Sequence, residues 1–273
     1  MSIVAISETL GSLGDEVGRE LAHTIGYEFA DREIISQAAE RFGGSPLAVA
    51  HAIEERPTLW ERFRDTQGRY LASVEAILLE MAARDGIVLV GRGATLLLAQ
   101  ARHAIRVRIS APETVRAQRV QQRHGLTAEA GREWVRESDR ELGGRIKFLY
   151  HVDWDDPRLY DLVLNTERVS ASAAVRILRE ALDESFATSD ESRQHVSDLA
   201  AVAQAKAGLL ADPLTSRLAI DVTCRNGQAA VSGLVDDEEQ RRRVLQTVGE
   251  VSGVTAVANE VVLRPRRSFP AGV

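Results

Sequence analysis

The start of the chain, SIVAISETLGSLGDEVGRELAHTIG, restricts the fold more than any other stretch. A short apolar run, Ile3 to Ile6, meets a turn bearing Gly11 and Gly14. An amphipathic segment follows, with Val17, Leu21, Ala22 and Ile25 at helical spacing. Strand, glycine turn and helix N-terminus together make an anion site, because free amide groups and the helix dipole point into the turn. In the phosphate-loop pattern G-x-x-x-x-G-K-[ST] the lysine reaches the terminal phosphates and the hydroxyl holds magnesium. With Gly14 as the last glycine, the first falls on Thr9, the lysine on Asp15 and the hydroxyl on Glu16. Two unit charges about 4 Å apart interact by about 4 kcal/mol at an effective dielectric near 20. An acid in the lysine's place therefore opposes phosphate binding unless magnesium on Asp15 or Glu16, Arg19, or an arginine from elsewhere reverses the sign.

At 273 residues the chain has room for one large domain or two ordinary ones. Apolar content of 44% and charged content of 27% are those of a globular protein, and no apolar run reaches the length of a membrane span. The N-terminus lacks the basic region and long apolar core of a secretion signal. A single cysteine, Cys224, rules out an internal disulfide and fits a reducing cytoplasm; its place in an alternating strand predicts packing rather than reactivity. A net charge of −6 argues against generic nucleic-acid binding. The six histidines show no pair at metal-ligand spacing, which argues against zinc.

Along the chain, apolar strands alternate with helices. YEFAD (27–31) reads as a second strand ending in an acid, and 32–84 as helical. GIVLVGRG reads as a buried parallel strand, AIRVRISAPE as another, with the helix ETVRAQRVQQRH after it. Residues 126–149 are helical and arginine-rich, and YDLVLNT (160–166) is a last strand before the helix SASAAVRILREALDES. This order predicts a parallel sheet covered on both faces. Residues 186–194 are polar and aperiodic and read as a linker. Beyond them, a helix at about 196–210 precedes two alternating runs around Asn226-Gly227, a hairpin signal because both positions of a type I′ turn need positive φ. The helix DEEQRRRVLQTVGEV and strand TAVANEVVL complete an αββαβ unit, and the tail from 265 reads as disordered.

Several of these segments carry a resemblance. GSLGDEVG, FADREII, VGRGATLLL, RISAPETVRAQRV and DWDDPRLYDLVLNT occur in the order that resembles the cytidylate-kinase-like branch of the P-loop nucleoside monophosphate kinases. DVTCRNGQAAVSGLV and VSGVTAVANEVVL resemble a BON domain, a small α/β interaction module. The resemblance implies an α/β P-loop kinase-like domain at 1–185, a linker at 186–194, a BON domain at 195–264 and a tail at 265–273. It further implies a five-stranded parallel sheet, an acceptor-binding region at 31–85 and an arginine-bearing lid at 120–148. ATP and magnesium are the implied cofactors, and CMP or a related monophosphate the implied acceptor.

Carried over residue by residue, the resemblance gives Gly11, Ser12, Leu13, Gly14, Asp15 and Glu16 as the phosphate cradle, with Glu16 a possible metal contact. Arg92, in a Gly-Arg-Gly turn at the carboxyl edge of the sheet, matches the arginine that holds the acceptor phosphate; its plainer reading is a surface arginine in a tight turn. Gly93 stands where ordinary cytidylate kinases have an aspartate. Arg116, an implied substrate contact, and Arg119 share a helix face, with Arg119 at the mouth of the lid. Arg132, Arg136 and Arg140 form a basic stripe, read either as neutralising the transferred group, with Asp139 fixing one guanidinium, or as a solvated face paired with Glu129, Glu133 and Glu137. Asp31 reads equally as an acceptor or magnesium contact and as a cap for REIISQAA. Asp153, Asp155 and Asp156 read as a solvated turn, Trp60 and Trp134 as packing residues, and Trp154 as packing under the lid.

Two functional classes stay open. One is a cytoplasmic nucleotide-binding kinase that phosphorylates a nucleoside monophosphate through Arg92, Arg119, Arg136 and Arg140. The other is a non-catalytic sensor or scaffold acting through its BON domain on an unidentified partner or ligand. The same edge also suits another phosphorylated ligand, and either class is compatible with a homo-oligomer.

Overall fold

The computed structural model describes residues 1–30 and 60–265, with side chains in the second stretch from 68 onward. The chain divides into two compact units, Met1–Glu33 with Met81–Arg193, and Ile34–Glu80 with Gln194–Val273.

In the first unit, β1 (Ile3–Glu8), β2 (Glu28–Ala30), β3 (Ile87–Val90), β4 (Ala104–Ser110) and β5 (Leu162–Asn165) form one sheet. Its order is β2-β3-β1-β4-β5, and every pairing is parallel. β1 lies in the middle, so Ile3, Val4, Ala5 and Ile6 are wholly buried. That is why the run is apolar without alternation: a central parallel strand has no solvent face. On one face, Val17, Leu21 and Ala22 of α1 (Gly14–Ile25) and Ala174, Val175, Leu178 and Leu182 of α6 (Ala171–Ser185) pack on Val4, Ile6, Val88, Val107 and Ile109. Burying a side chain the size of Leu21 or Leu178 contributes roughly 1.5–3 kcal/mol. The remaining helices of this unit are α3 (Ala94–Leu97), α4 (Glu113–His124) and α5 (Ala128–Tyr150), numbered after α2 (Trp60–Ala82). Gly131 of α5 lies so close to α4 that a Cβ there would stand 2.9 Å from the Ala117 carbonyl oxygen.

α7 (Asp190–Ala211), which belongs to the second unit from Gln194 onward, precedes β6 (Ile220–Arg225), β7 (Gln228–Val235), α8 (Glu238–Gly249) and β8 (Ala256–Leu263). β6 and β7 are antiparallel and β7 and β8 parallel, the αββαβ arrangement expected from the sequence. Asn226 and Gly227 both have positive φ, 54° and 74°, as a type I′ turn demands. Val222, Ala229, Val231, Val235 and Val261 meet Ala205, Leu209, Val244 and Val248 in a separate core.

Two expectations need correction. The helix expected from about 196 starts at Asp190, so residues 190–194 are helical rather than linker. Ser189 Oγ accepts from the Ser192 amide, and Asp190 and Glu191 fill the first turn, where acids suit the helix dipole. Trp134 is not a packing residue: it is 43% exposed and its ring lies 4.8 Å from that of His124.

Candidate functional site

The loop between β1 and α1 is held by its own backbone. Ser12 is wholly buried; its amide donates to the Thr9 carbonyl at 2.9 Å and its hydroxyl accepts from the Thr9 amide at 3.2 Å. Gly11 and Leu13 have φ of 78° and 69°, which lets the chain fold back before α1 begins at Gly14. A Cβ on Gly14 would fall 2.4 Å from Glu8 Cβ and 2.6 Å from its Oε2. Gly14→Ala is therefore expected to destabilise the fold by about 1–3 kcal/mol, read by thermal melting.

The reason for that tight approach is Glu8, which the sequence reading did not single out. Its Oε2 accepts from the Asp15 amide at 2.9 Å, so the last side chain of β1 caps the N-terminus of α1. The Asp15 carboxylate turns instead to Arg19, 3.1 Å away along the same helix, and the Arg19 guanidinium lies 4.3 Å above the Phe29 ring. Arg19 thus pairs with Asp15 at the surface, a weak i,i+4 contact. Glu16 is exposed one residue further on.

The arginines of the helices after β4 turn to the loop's own carbonyl groups. Arg116 is buried; its Nε donates to Ala111 O at 2.9 Å and its Nη1 to Leu10 O at 3.3 Å. Its fork grips Asp139 at 3.0 and 2.6 Å, so Asp139 does fix a guanidinium, but that of Arg116 rather than one in its own stripe. Arg119 donates to Gly11 O at 3.1 Å and to Thr166 Oγ1 and O at 3.0 and 2.8 Å. Thr166 in turn donates to Ser12 O at 2.7 Å. Arg136 and Arg140 are exposed and pair with Glu113 and Glu137 at 2.8 and 2.9 Å. Asp31 lies outside the described residues, as does the side chain of Trp60.

Arg92 has φ of 56° between Gly91 at 80° and Gly93 at 76°, three left-handed residues in succession. For a non-glycine residue that conformation costs roughly 1–2 kcal/mol, and such strain clusters at binding sites. Arg92 lines a small cleft of about 40 Å³, partly open to solvent, together with Ser7, Glu8, Thr95, Leu142 and Trp154. Arg116, Arg119, Arg136 and Arg140 are not among its lining residues. Beside Gly93, the Tyr150 hydroxyl stands 2.8 Å from where a Cβ would be, so the end of α5 fills the space of the missing side chain.

A second residue missed in the sequence underlies this cleft. Arg108 is 4% exposed on a central strand, bonded to Ser7 Oγ at 2.8 Å and Asp155 at 3.1 Å, with its guanidinium 3.9 Å from the Trp154 ring centroid. Desolvating a charge is tolerated because of these partners. Trp154 is buried against Gly143 of α5. Asp156 caps the short helical turn Pro157–Leu159 and pairs with Arg158, whose hydrogen bonds hold its carboxyl below the ordinary range.

A five-stranded parallel sheet whose central strand feeds a glycine turn and a helix, with arginine-bearing helices at its carboxyl edge, is the frame of the P-loop kinases. The chain belongs to the cytidylate kinase-like family, whose model matches residues 3–168, and the BON domain model matches residues 197–265. A cytidylate kinase from Natronomonas pharaonis is 30% identical over 194 residues, covering 70% of this chain and 94% of that one. One from Haloarcula marismortui is 26% identical, covering 72% and 97%. A solved structure of an uncharacterized protein from Eubacterium ventriosum shares the fold, with a TM-score of 0.53 and 19% identity over 67% of this chain and 99% of that one.

Kinase chemistry of this family implies magnesium and ATP. In this conformation the loop residues oppose ATP's phosphates, since a carboxylate caps α1 and Asp15 stands next to it, whereas carboxylate oxygens are donors that magnesium accepts. Among the described residues no three His, Cys, Asp or Glu side chains converge as a metal site.

Proposed function

We propose that residues 1–185 form a nucleotide-binding domain that takes a nucleoside monophosphate such as CMP at the Arg92 cleft and does not transfer phosphoryl groups at a kinase's rate. In this reading residues 195–264, the BON domain, act as the interaction module of a cytoplasmic sensor or scaffold. The observation that carries it is the allocation of the cations. Arg116 and Arg119 hold loop carbonyls, Arg136 and Arg140 pair with outer acids, and Asp15 occupies the lysine's position. Phosphoryl transfer rests almost wholly on positioning and charge neutralisation, so losing the donor-side cations removes most of the catalysis. Arg92, strained and lining a cleft, carries a planar guanidinium of the kind that grips phosphate bidentately. The single cysteine supports the cytoplasmic placement.

The test is calorimetry and a coupled assay on the full chain with CMP, dCMP or UMP, with and without Mg-ATP. Binding of a monophosphate without diphosphate formation is the expected result. Turnover of about 1 s⁻¹ or faster, the ordinary range for kinases, would refute it. That outcome favours the second reading, an active cytidylate-type kinase, which the 30% identity to the Natronomonas pharaonis enzyme supports. In that case a metal at Glu16 and an acceptor contact from Asp31 become the next residues to test. Asp15→Lys separates the two: a large gain in ATP affinity marks the native loop as retired from donor binding.

A further inference from the structure

We propose that Glu8 is the residue that decides which phosphorylated ligands this site admits, acting as an internal anion seated on the Asp15 amide at the start of α1. The inference rests on the reading of the domain as a nucleotide-binding one. The N-terminus of a helix attracts one negative group, and here the chain supplies it itself. Glu8 Oε2 accepts from the Asp15 amide at 2.9 Å, and the side chain is packed against Gly14 so closely that no Cβ fits between. The same residue lines the cleft that Arg92 lines, so its charge is felt there too. A phosphate that came to the Asp15 amide would thus meet a carboxylate that must leave or be neutralised first.

Two further features keep it seated. Arg116 and Arg119 bond the carbonyl side of the loop at Leu10 and Gly11, so widening it around a second anion would break those bonds. The cation nearest in sequence, Arg19, is paired with Asp15. A ligand carrying one phosphate can meet Arg92 at the cleft without displacing Glu8. A ligand carrying a triphosphate would have to place further negative charge beside Glu8 and Asp15 together. The penalty therefore grows with the number of phosphates, and the site selects for few.

Calorimetry on the full chain with CMP, ATP and inorganic triphosphate as probes, comparing wild type with Glu8→Gln and Glu8→Asp, tests this. Glutamine keeps an oxygen that accepts from the Asp15 amide, so the fold survives, which a thermal melt verifies. Removing one like charge within hydrogen-bond reach is expected to tighten ATP and triphosphate by about tenfold or more, and CMP by clearly less. Glu8→Asp keeps the charge and is expected to stay poor toward ATP. Equal ATP affinity in wild type and Glu8→Gln, with CMP still bound, would overturn the role of Glu8 and leave the nucleotide-binding reading intact. A gain of equal size for all three probes would also overturn it, because a merely structural change is blind to ligand charge. Absence of CMP binding in every variant would remove the underlying reading and this one with it.

Discussion

Arg116→Met is expected to lower the stability of the N-terminal unit by about 3 kcal/mol, with no ligand present. Methionine replaces most of the buried stem, so lost packing is small and the loss falls on the polar head. The guanidinium makes four hydrogen bonds, to the Ala111 and Leu10 carbonyls and to both oxygens of Asp139. Removing one partner of a buried ion pair typically costs 3–5 kcal/mol, because the remaining charge and carbonyls lose their donors. Asp139 is 31% exposed and can rehydrate, which puts the expectation at the lower end. Urea unfolding of wild type, Arg116→Met and Arg116→Lys measures it. Lysine keeps the charge but not the planar fork, so it is expected to recover less than half of the loss. A Met variant within about 1 kcal/mol of wild type would mean that Arg116 does not clasp the loop, and the allocation of cations argued above would fail at its first member.

The frame was legible because its signals are local or periodic. Ile3 to Ile6 without alternation, the Gly-Arg-Gly turn after Val90, and Asn226-Gly227 between alternating runs each have one economical structural solution. Boundaries were harder where polar residues have two uses. The stretch SDES reads as linker by composition, yet Ser189 and two acids are also what a helix N-terminus requires, and there the helix begins. Around the loop and Arg92, the sequence shows the two glycine turns but not the partners of their charges. Which acid Arg116 meets, 23 positions away, depends on how α5 returns over α4. Glu8 looked like the end of a strand, since nothing in its neighbours says that it turns onto the next helix. Arg108 alternates with Val107 and Ile109 in a pattern that normally puts arginine in water; only the packing of Trp154 and Tyr160 around it explains its burial.

Asp198→Ala is expected to destabilise the C-terminal unit by about 3 kcal/mol and to remove a pH dependence of its stability. Asp198, on α7 and 7% exposed, accepts from the amides of Asn226 and Gly227 at 2.7 and 2.9 Å and from Gln194 Nε2 at 3.0 Å. One carboxylate therefore closes the turn between β6 and β7, and alanine leaves both turn amides without it. Hydrogen bonds to a charged group contribute roughly 1.5–3 kcal/mol each, and water reaches part of the vacated site, hence the intermediate figure. Burial alone would raise the Asp198 pKa, but the Gly227 and Asn226 amides outweigh it and hold the carboxyl below its ordinary 3.8. A depressed folded pKa means the unfolded chain binds the proton first. The stabilisation is thus complete above pH 3.8 and is lost as the pH falls from there through the folded value. The Cys224 thiol, 3.6 Å from the same carboxylate, is pushed the other way by burial and by that charge, which keeps it protonated and unreactive at neutral pH. Chemical denaturation across pH 2 to 7 is the measurement. Wild type is expected to lose stability below pH 3.8 relative to Asp198→Asn, whose side chain does not titrate. Parallel curves for the two proteins would show that the turn is held by its own type I′ geometry and that the carboxylate contributes no charge-dependent part.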